Sequence, residues 1–289
     1  MIDSGLSGKV VLITGANHGI GAATARAFAA QGAQVFITFF RESVPYSAEE
    51  MQRAQRLGEG GDLLYRAQQQ TSGEEVAVQI RAEGGAAMAF ETDLGIAGNI
   101  ARVFDACEAA LGPVDILVNN HTYCVLETFD PALVSDRHGG VFAISADQID
   151  AHMAVNARAY ALMMSEYLKR YLGRGAHSGR IVNVSTDAAS AHVANVSYAA
   201  SKHAIESYSR SAAAELGKYG LTVNVVAPGP IQTGYITPLF EAEIAAGTPL
   251  GRVGKPEDVA DVILFLASEQ AHWLTGQLIY AGGGWRMPQ

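Results

Sequence analysis

Two residues in the second half of the chain carry side chains suited to proton transfer. Tyr198 and Lys202 are four residues apart at the start of a predicted helix over 198–219, so they lie one turn apart on the same face. A free tyrosine titrates at about 10 and is a poor base at neutral pH. A neighbouring ammonium stabilises the phenolate and lowers that pKa, so we expect Tyr198 to exchange a proton with a substrate oxygen. The same spacing is frequent on helix surfaces, so the pair needs support from its surroundings.

A glycine-rich turn near the N-terminus has the character of a phosphate-binding loop. It follows a β-branched apolar run at 10–13 and precedes an alanine-rich stretch at 21–30, which together predict strand, turn and helix. Gly15 permits a tight turn, Gly19 lets the backbone approach a pyrophosphate, and Gly21 permits close packing of the helix on the strand. The amides at the helix start favour phosphate groups. The turn therefore indicates a nucleotide site.

Strand and helix patterns alternate along almost the whole chain. Further strands are predicted at 35–40, 86–90, 114–118, 180–184, 222–226 and 277–280, and helices at 73–83, 97–111, 146–172, 198–219 and 256–268. Helices between continuous apolar strands require crossover connections, which place them on both faces of a parallel sheet. We therefore expect an α/β, Rossmann-type doubly wound sheet of about seven strands, formed by a single domain over residues 1–289.

Three segments depart from this alternation. Residues 44–72 and 121–145 are too long for ordinary connections, and both emerge at the carboxyl ends of strands, where ligands bind in an open parallel sheet. Each is interpreted either as surface decoration or as a lid over the substrate. Residues 230–250 form the third segment, a substrate loop whose apolar side chains predict a hydrophobic or amphipathic ligand.

The bulk composition limits the classes of function. The 289 residues are 49% hydrophobic and 17% charged, which is typical of a globular protein. A formal net charge of -9 provides no basic footprint, so we expect neither a nucleic-acid partner nor a membrane partner. Cys107 and Cys124 form no disulfide framework, and the first residues do not resemble a secretory leader, so a cytoplasmic location is expected.

Metal and hydrolase sites are not supported by the spacing of their usual residues. The scattered histidines lack a compact ligand pattern, so no metal is expected and surface roles are favoured for His138, His177, His192 and His203. The chain also lacks a Gly-x-Ser-x-Gly nucleophile elbow, which argues against an α/β hydrolase.

The glycine turn and the Tyr/Lys pair are accompanied by further motifs over nearly the whole chain. These are Asp93-Leu94, Asn119-Asn120, Asn156, Tyr198-Ala199-Ala200-Ser201-Lys202, Pro228-Gly229-Pro230-Ile231-Gln232-Thr233, 254–260 and 274–277. Together with the G-x-x-x-G-x-G spacing, this set resembles the short-chain dehydrogenase/reductase family, especially its 3-oxoacyl-[acyl-carrier-protein] reductase-like members. The resemblance implies an NAD(P)-dependent oxidoreductase that transfers a hydride reversibly between nicotinamide and a carbonyl or secondary alcohol.

The resemblance also assigns roles to individual residues. It implies that Tyr198 is the acid/base, that Lys202 lowers its pKa and binds the nicotinamide ribose, and that Asn156 holds a relay water. Asp93 would accept from the adenine amino group, and Asn119 would line the cofactor cleft. The other cofactor-binding residues implied in this way are Gly15, Asn17, His18, Gly19, Ile20, Leu94, Pro228, Gly229, Ile231 and Thr233.

The choice of cofactor depends on the end of the second strand. An acidic side chain there would accept hydrogen bonds from the ribose of NAD, but this chain has Phe39, Phe40 and Arg41. No carboxylate repels a 2′-phosphate, and Arg41 is able to bind one through its planar fork of donors, with His18 as a second basic residue nearby. NADP(H) is therefore the expected cofactor, with NAD(H) as the alternative.

One catalytic position has two candidates. The family places a hydroxyl, normally of serine, after the fifth strand to orient the substrate carbonyl. Counting forward along 179–184 reaches Thr186, whereas counting back from Tyr198 reaches Ser185. Alternate residues of an extended chain face opposite sides, so only one enters the cleft. We expect Thr186, because loops absorb a one-residue deletion more readily than strands do, and Ser185 stays the alternative.

Two further expectations concern function and assembly. His121-Thr122 replaces the family's small pair and puts bulk near the nicotinamide ribose, which leaves a catalytically weak nucleotide-binding regulatory or scaffold protein as the alternative function. The helices at 146–172 and 198–219 resemble those through which family members assemble, so a homotetramer or homodimer is expected. Their apolar residues pack either against a partner subunit or within the chain, as for Ala159, Leu162, Met163 and Tyr167.

Overall fold

Seven parallel strands form the central sheet of the computed structural model, which describes residues 3–135 and 139–286. The strands of the chain are β1 (Val10–Thr14), β2 (Gln34–Phe39), β3 (Ala86–Glu91), β4 (Ile116–Asn119), β5 (Glu127–Thr128), β6 (Phe142–Ala143), β7 (Gly179–Val184), β8 (Leu221–Pro228) and β9 (Leu278–Ala281). The central sheet has the order β3-β2-β1-β4-β7-β8-β9, and its pairings are all parallel, while β5 and β6 pair separately.

Helices cover both faces of this sheet. They are α1 (Gly19–Ala30), α2 (Ala48–Leu57), α3 (Asp62–Gln69), α4 (Gly73–Ala82), α5 (Asn99–Leu111), α6 (Ala146–His152), α7 (Ala159–Gly173), α8 (Val196–Leu216), α9 (Pro238–Gly247) and α10 (Pro256–Ala267). Buried side chains of α1, α4 and α10 belong to one core cluster, and those of α5, α7 and α8 belong to another. The predicted Rossmann-type doubly wound fold is confirmed.

The alternation of side chains along β1 explains the two clusters. Val11 and Ile13 lie in the first cluster, whereas Val10 and Leu12 lie in the second. Successive strand residues point to opposite faces, so a strand covered on both sides must be apolar throughout. The chain reverses its strand order between β1 and β4. The region beyond the carboxyl ends of the strands at this switch point, where open parallel sheets bind ligands, is called the cleft from here on.

The apolar stripe of α7 packs inside the chain. Ala159, Met163 and Tyr167 are buried in the second core cluster, and Leu162 is partly buried against it. Tyr167 also donates a hydrogen bond from its hydroxyl to the Asp115 carbonyl at 2.6 Å. These contacts account for the stripe without a partner subunit.

The long connections have structure of their own. Residues 44–72, called the cap from here on, contain α2 and α3, and the substrate loop contains α9. Residues 121–145 contain β5, β6 and a short 3-10 helix at Pro131–Leu133, and residues 136–138 of this segment lie outside the described part. The cap and the loop both lie at the carboxyl edge of the sheet.

The helix predicted over 146–172 is divided into three parts. A π-helical turn, Met153–Arg158, separates α6 from α7, and Asn156 lies in it. A π-turn widens the helix by one residue and is frequent at functional sites. Hydrophobic periodicity does not predict it, because the pattern on either side stays helical.

Gly21 is a position where the fold permits no side chain. A Cβ there would lie 2.2 Å from the Gly15 carbonyl oxygen and 2.7 Å from Ala16 Cα, and both are backbone atoms that cannot move aside cheaply. We expect Gly21→Ala to lower the free energy of unfolding by about 1–3 kcal/mol, measured by urea denaturation. Gly173→Ala is the matched control, since a Cβ there meets no atom within 4 Å. Equal stability of the two variants would contradict the packing described.

Candidate active site

Lys202 lies at the bottom of the cleft and is almost fully buried. Its Nζ donates to the Val184 carbonyl oxygen at 3.0 Å and to the Tyr160 hydroxyl at 3.4 Å. Burial lowers the pKa of Lys202 to about 7, because the ammonium loses hydration. The end of β7 and the first turn of α7 therefore hold this cation in place.

The Tyr198 ring lies over the same ammonium. The Lys202 Nζ atom is 5.8 Å from the centroid of the ring. We expected the cation to lower the pKa of Tyr198, but burial raises that pKa well above its usual value, and the nearby Cys124 and Tyr65 side chains raise it further. The direction differs from the expectation because the loss of hydration outweighs the nearby charge. The raised pKa favours the protonated phenol, which is the form that donates a proton.

Tyr160 is a residue of the site that was not predicted from the sequence. Its side chain is fully buried, and its hydroxyl donates to the His121 carbonyl oxygen at 2.8 Å while accepting from Lys202. It follows Asn156 by four residues, so it lies on the same side of the helix, and this spacing is the only signal for it in the sequence. Tyr160 thus joins Lys202 to the end of β4.

His121 is a bulky residue at a position where the family has a small one, and its uncharged ring links neighbouring segments of the chain. Burial lowers its pKa to about 3, so the ring carries one proton at neutral pH. The Nε2–H donates to the Val155 carbonyl oxygen at 3.1 Å, and Nδ1 accepts from the Thr14 hydroxyl at 2.7 Å. The ring also packs on Tyr160 with centroids 4.4 Å apart. His121 therefore ties β1 and β4 to the π-turn.

Asn156 is buried, and its amide is shared between two segments. Its Oδ1 accepts from the Tyr123 amide at 2.8 Å and from the Thr122 hydroxyl at 3.3 Å. Its Nδ2 donates to the Tyr123 carbonyl at 2.9 Å and to the Ser201 hydroxyl at 3.0 Å. The side chain fixes the segment after β4 to α8, one turn from the predicted acid. A role in holding a relay water stays a prediction.

Ser185 and Thr186 face different surroundings. Ser185 is buried, and its hydroxyl donates to Glu206 Oε1 of α8 at 2.9 Å. Thr186 is partly accessible, and its Oγ1 accepts a long hydrogen bond of 3.4 Å from the Ala188 amide. The Thr186 side chain also hydrogen-bonds the Asp187 carboxylate, but unlike Ser185 it is partly accessible.

The glycine turn contacts the cap as well as the cleft. Asn17 Nδ2 donates to the carbonyl oxygens of Gln69 and Thr71, both at 2.9 Å. The His18 ring packs edge-on against Tyr65 of the cap, with centroids 5.7 Å apart. Burial lowers the pKa of His18 to about 4, so it offers no positive charge at neutral pH, unlike the basic role expected for it.

The cleft has features that fit a dinucleotide. Gly15 and Gly19 have positive φ of 62° and 54°, so the turn exposes its backbone without side chains. Buried polar atoms without a hydrogen-bond partner among the described residues include His18 Nδ1, Thr38 Oγ1 and Asn119 Oδ1. They lie in the first turn, in β2 and at the end of β4, around the switch point. Their hydrogen-bonding capacity is not used by the described residues.

Arg41 follows the end of β2 as predicted, and it has a partner. Its Nε and Nη2 donate to the two carboxylate oxygens of Glu91, the last residue of β3, at 2.9 and 2.6 Å. The guanidinium holds the pKa of Glu91 below its usual value. A 2′-phosphate at Arg41 must therefore share the guanidinium with Glu91.

The remaining predicted cofactor residues lie around the same cleft. Asp93 Oδ1 accepts from the Gly95 amide at 2.7 Å, so this carboxylate shapes the turn after β3. Thr233 of the substrate loop lies against the glycine turn, with its Cγ2 3.0 Å from where a Cβ on Gly19 would be. Leu94 and Ile231 are buried, Ile20 is partly buried, Pro228 ends β8, and Gly229 follows it.

Residues 3–135 and 139–286 contain neither a cluster of metal-ligating side chains nor a membrane-spanning helix. No three His, Cys, Asp or Glu side chains in these ranges are grouped to hold a metal ion, and His138 lies outside them. No helix in the same ranges has the length and apolar character needed to cross a bilayer.

Comparison with known families gives two matches that together cover most of the chain. Residues 9–57 match the family model described as short chain dehydrogenase. Residues 51–286 match the model described as Enoyl-(Acyl carrier protein) reductase.

Individual relatives agree with these matches. A glucose and ribitol dehydrogenase homolog of Oryza sativa subsp. japonica is 33% identical, with 96% of this chain and 86% of the relative covered. An NADPH-dependent aldehyde reductase-like protein, chloroplastic, of Arabidopsis thaliana is 30% identical, with 97% of this chain and 95% of the relative covered. A blue fluorescent protein from a metagenomic library, solved in complex with NADPH, has a TM-score of 0.76 and 26% identity, with 98% and 99% of the two chains covered. The chain therefore belongs to the short-chain dehydrogenase/reductase family and is an NAD(P)-dependent oxidoreductase.

Proposed function

We propose that this oxidoreductase prefers NADP(H) and transfers a hydride reversibly between the nicotinamide and a carbonyl or secondary-alcohol substrate. The observation that carries the proposal is the placement of Lys202, whose ammonium is held 3.0 Å from the Val184 oxygen and beneath the Tyr198 ring. A fixed cation next to a phenol at the bottom of a cleft is the arrangement that proton transfer to a substrate oxygen requires.

Each residue of the site has a distinct part in the proposed reaction. When bound, the nicotinamide supplies or accepts the hydride. Tyr198 donates its proton to the substrate oxygen during reduction and takes one during oxidation, while Lys202 stabilises the phenolate. The Thr186 hydroxyl donates to the same oxygen and orients it. Asn156 keeps the π-turn against α8 and supports the resupply of protons.

The preference for NADP(H) is supported by the charges at the end of β2. The residues at the end of β2 and directly after it are Phe39, Phe40 and Arg41. None of them carries a carboxylate, and Arg41 presents its guanidinium. The name of the Arabidopsis thaliana relative and the NADPH complex of the metagenomic protein point the same way. Since Glu91 already binds Arg41, NAD(H) stays the alternative cofactor.

We also propose a single domain, a homotetrameric or homodimeric assembly and a cytoplasmic location. The exposed apolar side chains of Leu172 on α7 and Tyr208 on α8 support assembly through these helices, because the inward stripe of α7 is already used by the core.

The proposed reaction is tested by Tyr198→Phe. We expect this variant to lose at least about 100-fold in kcat for carbonyl reduction while its Kd for NADPH changes by less than about twofold. The measurements are NADPH oxidation over a panel of ketones and aldehydes, and binding by NADPH fluorescence. Tyr219→Phe, which changes a tyrosine remote from the cleft, is the control. A wild-type protein that binds NADPH and reduces no member of the panel would favour the nucleotide-binding scaffold instead.

The cofactor preference is tested by Arg41→Ala. Loss of a charge-assisted contact to the 2′-phosphate should raise the KM for NADPH about tenfold and leave the KM for NADH unchanged. Arg252→Ala is a matched control, because Arg252 forms the same kind of exposed, two-bonded pair with Asp258, at 2.6 and 2.7 Å. A wild-type preference for NADH overturns the assignment.

The active hydroxyl is tested by a pair of substitutions. Thr186→Val should lower kcat about 100-fold, whereas Thr186→Ser should retain activity because the hydroxyl remains. Ser185→Ala should instead lower the free energy of unfolding by about 1 kcal/mol through the lost bond to Glu206, with kcat almost unchanged. Steady-state kinetics measures the loss of kcat expected for Thr186→Val, and urea denaturation measures the loss of stability expected for Ser185→Ala. The reverse pattern identifies Ser185 as the active residue.

A further inference from the structure

The cap is fastened to the substrate loop through their backbones. The Gly61 amide donates to the Gly234 carbonyl at 2.8 Å. A Cβ on Gly60 would lie 1.8 Å from the Ile236 carbonyl oxygen, so the two chains touch with no room for a side chain. The cap and the loop therefore form one continuous wall over the cleft.

A second attachment joins the cap to the glycine turn. The Asn17 amide reaches two carbonyl oxygens at and just beyond the end of α3, as described above. Gln70 Nε2 of the cap also donates to the carbonyl oxygen of Glu42, just before the cap, at 2.6 Å, which closes the base of the segment. The cap is thus held on both sides of the cleft, and the side chains of α3 have fixed directions.

Tyr65 of α3 projects from the cap between these two attachments. Its ring meets Tyr235 of the substrate loop edge-on, with centroids 6.0 Å apart, and also meets the His18 ring edge-on. Tyr65 is partly accessible, and Tyr235 is 43% exposed. Tyr65 and Tyr235 belong to the two segments that follow β2 and β8 at the carboxyl edge of the sheet, the edge where Tyr198 lies in the first turn of α8. Both also contribute to the raised pKa of Tyr198.

We propose that Tyr65 and Tyr235 contact the substrate and determine its class, a carbonyl compound whose carbonyl is attached to a flat, apolar ring. This inference rests on the proposed hydride transfer to a carbonyl at Tyr198. Aromatic walls gain most from a flat ring, because offset and edge-to-face contacts with it add to the burial of apolar area. A flexible linear chain makes fewer such contacts and loses more conformational freedom on binding.

The test compares two ketones of equal carbon number, acetophenone and octan-2-one, at saturating NADPH. The wild type should have the higher kcat/KM for acetophenone. Tyr65→Leu and Tyr235→Leu should each lower the acetophenone to octan-2-one ratio by about fivefold or more, whereas Tyr65→Phe should keep it, because the ring remains. Tyr219→Leu is the control. Thermal melts and the Kd for NADPH establish that each variant is folded.

The outcomes separate this inference from the proposed function. A wild type that reduces carbonyls but prefers octan-2-one, or variants that leave the ratio unchanged, would overturn the assignment of Tyr65 and Tyr235 alone. A wild type that reduces no carbonyl at all contradicts the hydride-transfer proposal itself. Should Tyr65→Leu fail to fold, Tyr235→Leu decides the question, because its side chain is 43% exposed and outside the core.

Discussion

The burial of the Lys202 ammonium is the constraint on which the rest of the site depends. A charged amine removed from water is costly unless polar partners replace its hydration. Here the partners are the Val184 carbonyl, at the end of β7, and the Tyr160 hydroxyl, in the first turn of α7. The sheet and two helices must therefore keep one relative arrangement, and the apolar cluster shared by α5, α7 and α8 maintains it.

His121, which departs from the family pattern, supports this arrangement together with Tyr160. His121 fills space that a small residue would leave, and as a neutral ring it links the Thr14 hydroxyl to the Val155 carbonyl without adding a second charge beside Lys202. Tyr160 extends the same contact by joining the carbonyl of His121 to the ammonium. In the sequence, the large side chain of His121 suggested a weakened enzyme. In the structure, that side chain packs against Tyr160, which holds the Lys202 ammonium.

The sequence predicts the parts of this protein that depend on local pattern. The apolar strands, the glycine turn and the Tyr198/Lys202 spacing are patterns that each span only a few residues. The sheet, the helices and the central pair can therefore be predicted from them. The contacts of Asn17 with the cap join residues more than fifty positions apart, and no local period encodes them. The pKa values of His18 and Tyr198 likewise depend on burial by distant segments. The expected fall in the Tyr198 pKa and the basic role expected for His18 took account only of neighbouring residues.

The titration of Lys202 tests the central claim most directly. The chain contains five lysines, so selective carbon-13 labelling of the lysine Cε gives a spectrum in which each signal can be assigned by substitution. We predict that, in the protein without added nucleotide, one signal titrates near the value of about 7 to which burial lowers the Lys202 pKa. This signal should disappear in Lys202→Met, and it should move to lower pH in Tyr160→Phe, which removes one partner of the ammonium. If all the lysines titrate at the ordinary value of about 10.4, Lys202 is not the buried cation described above.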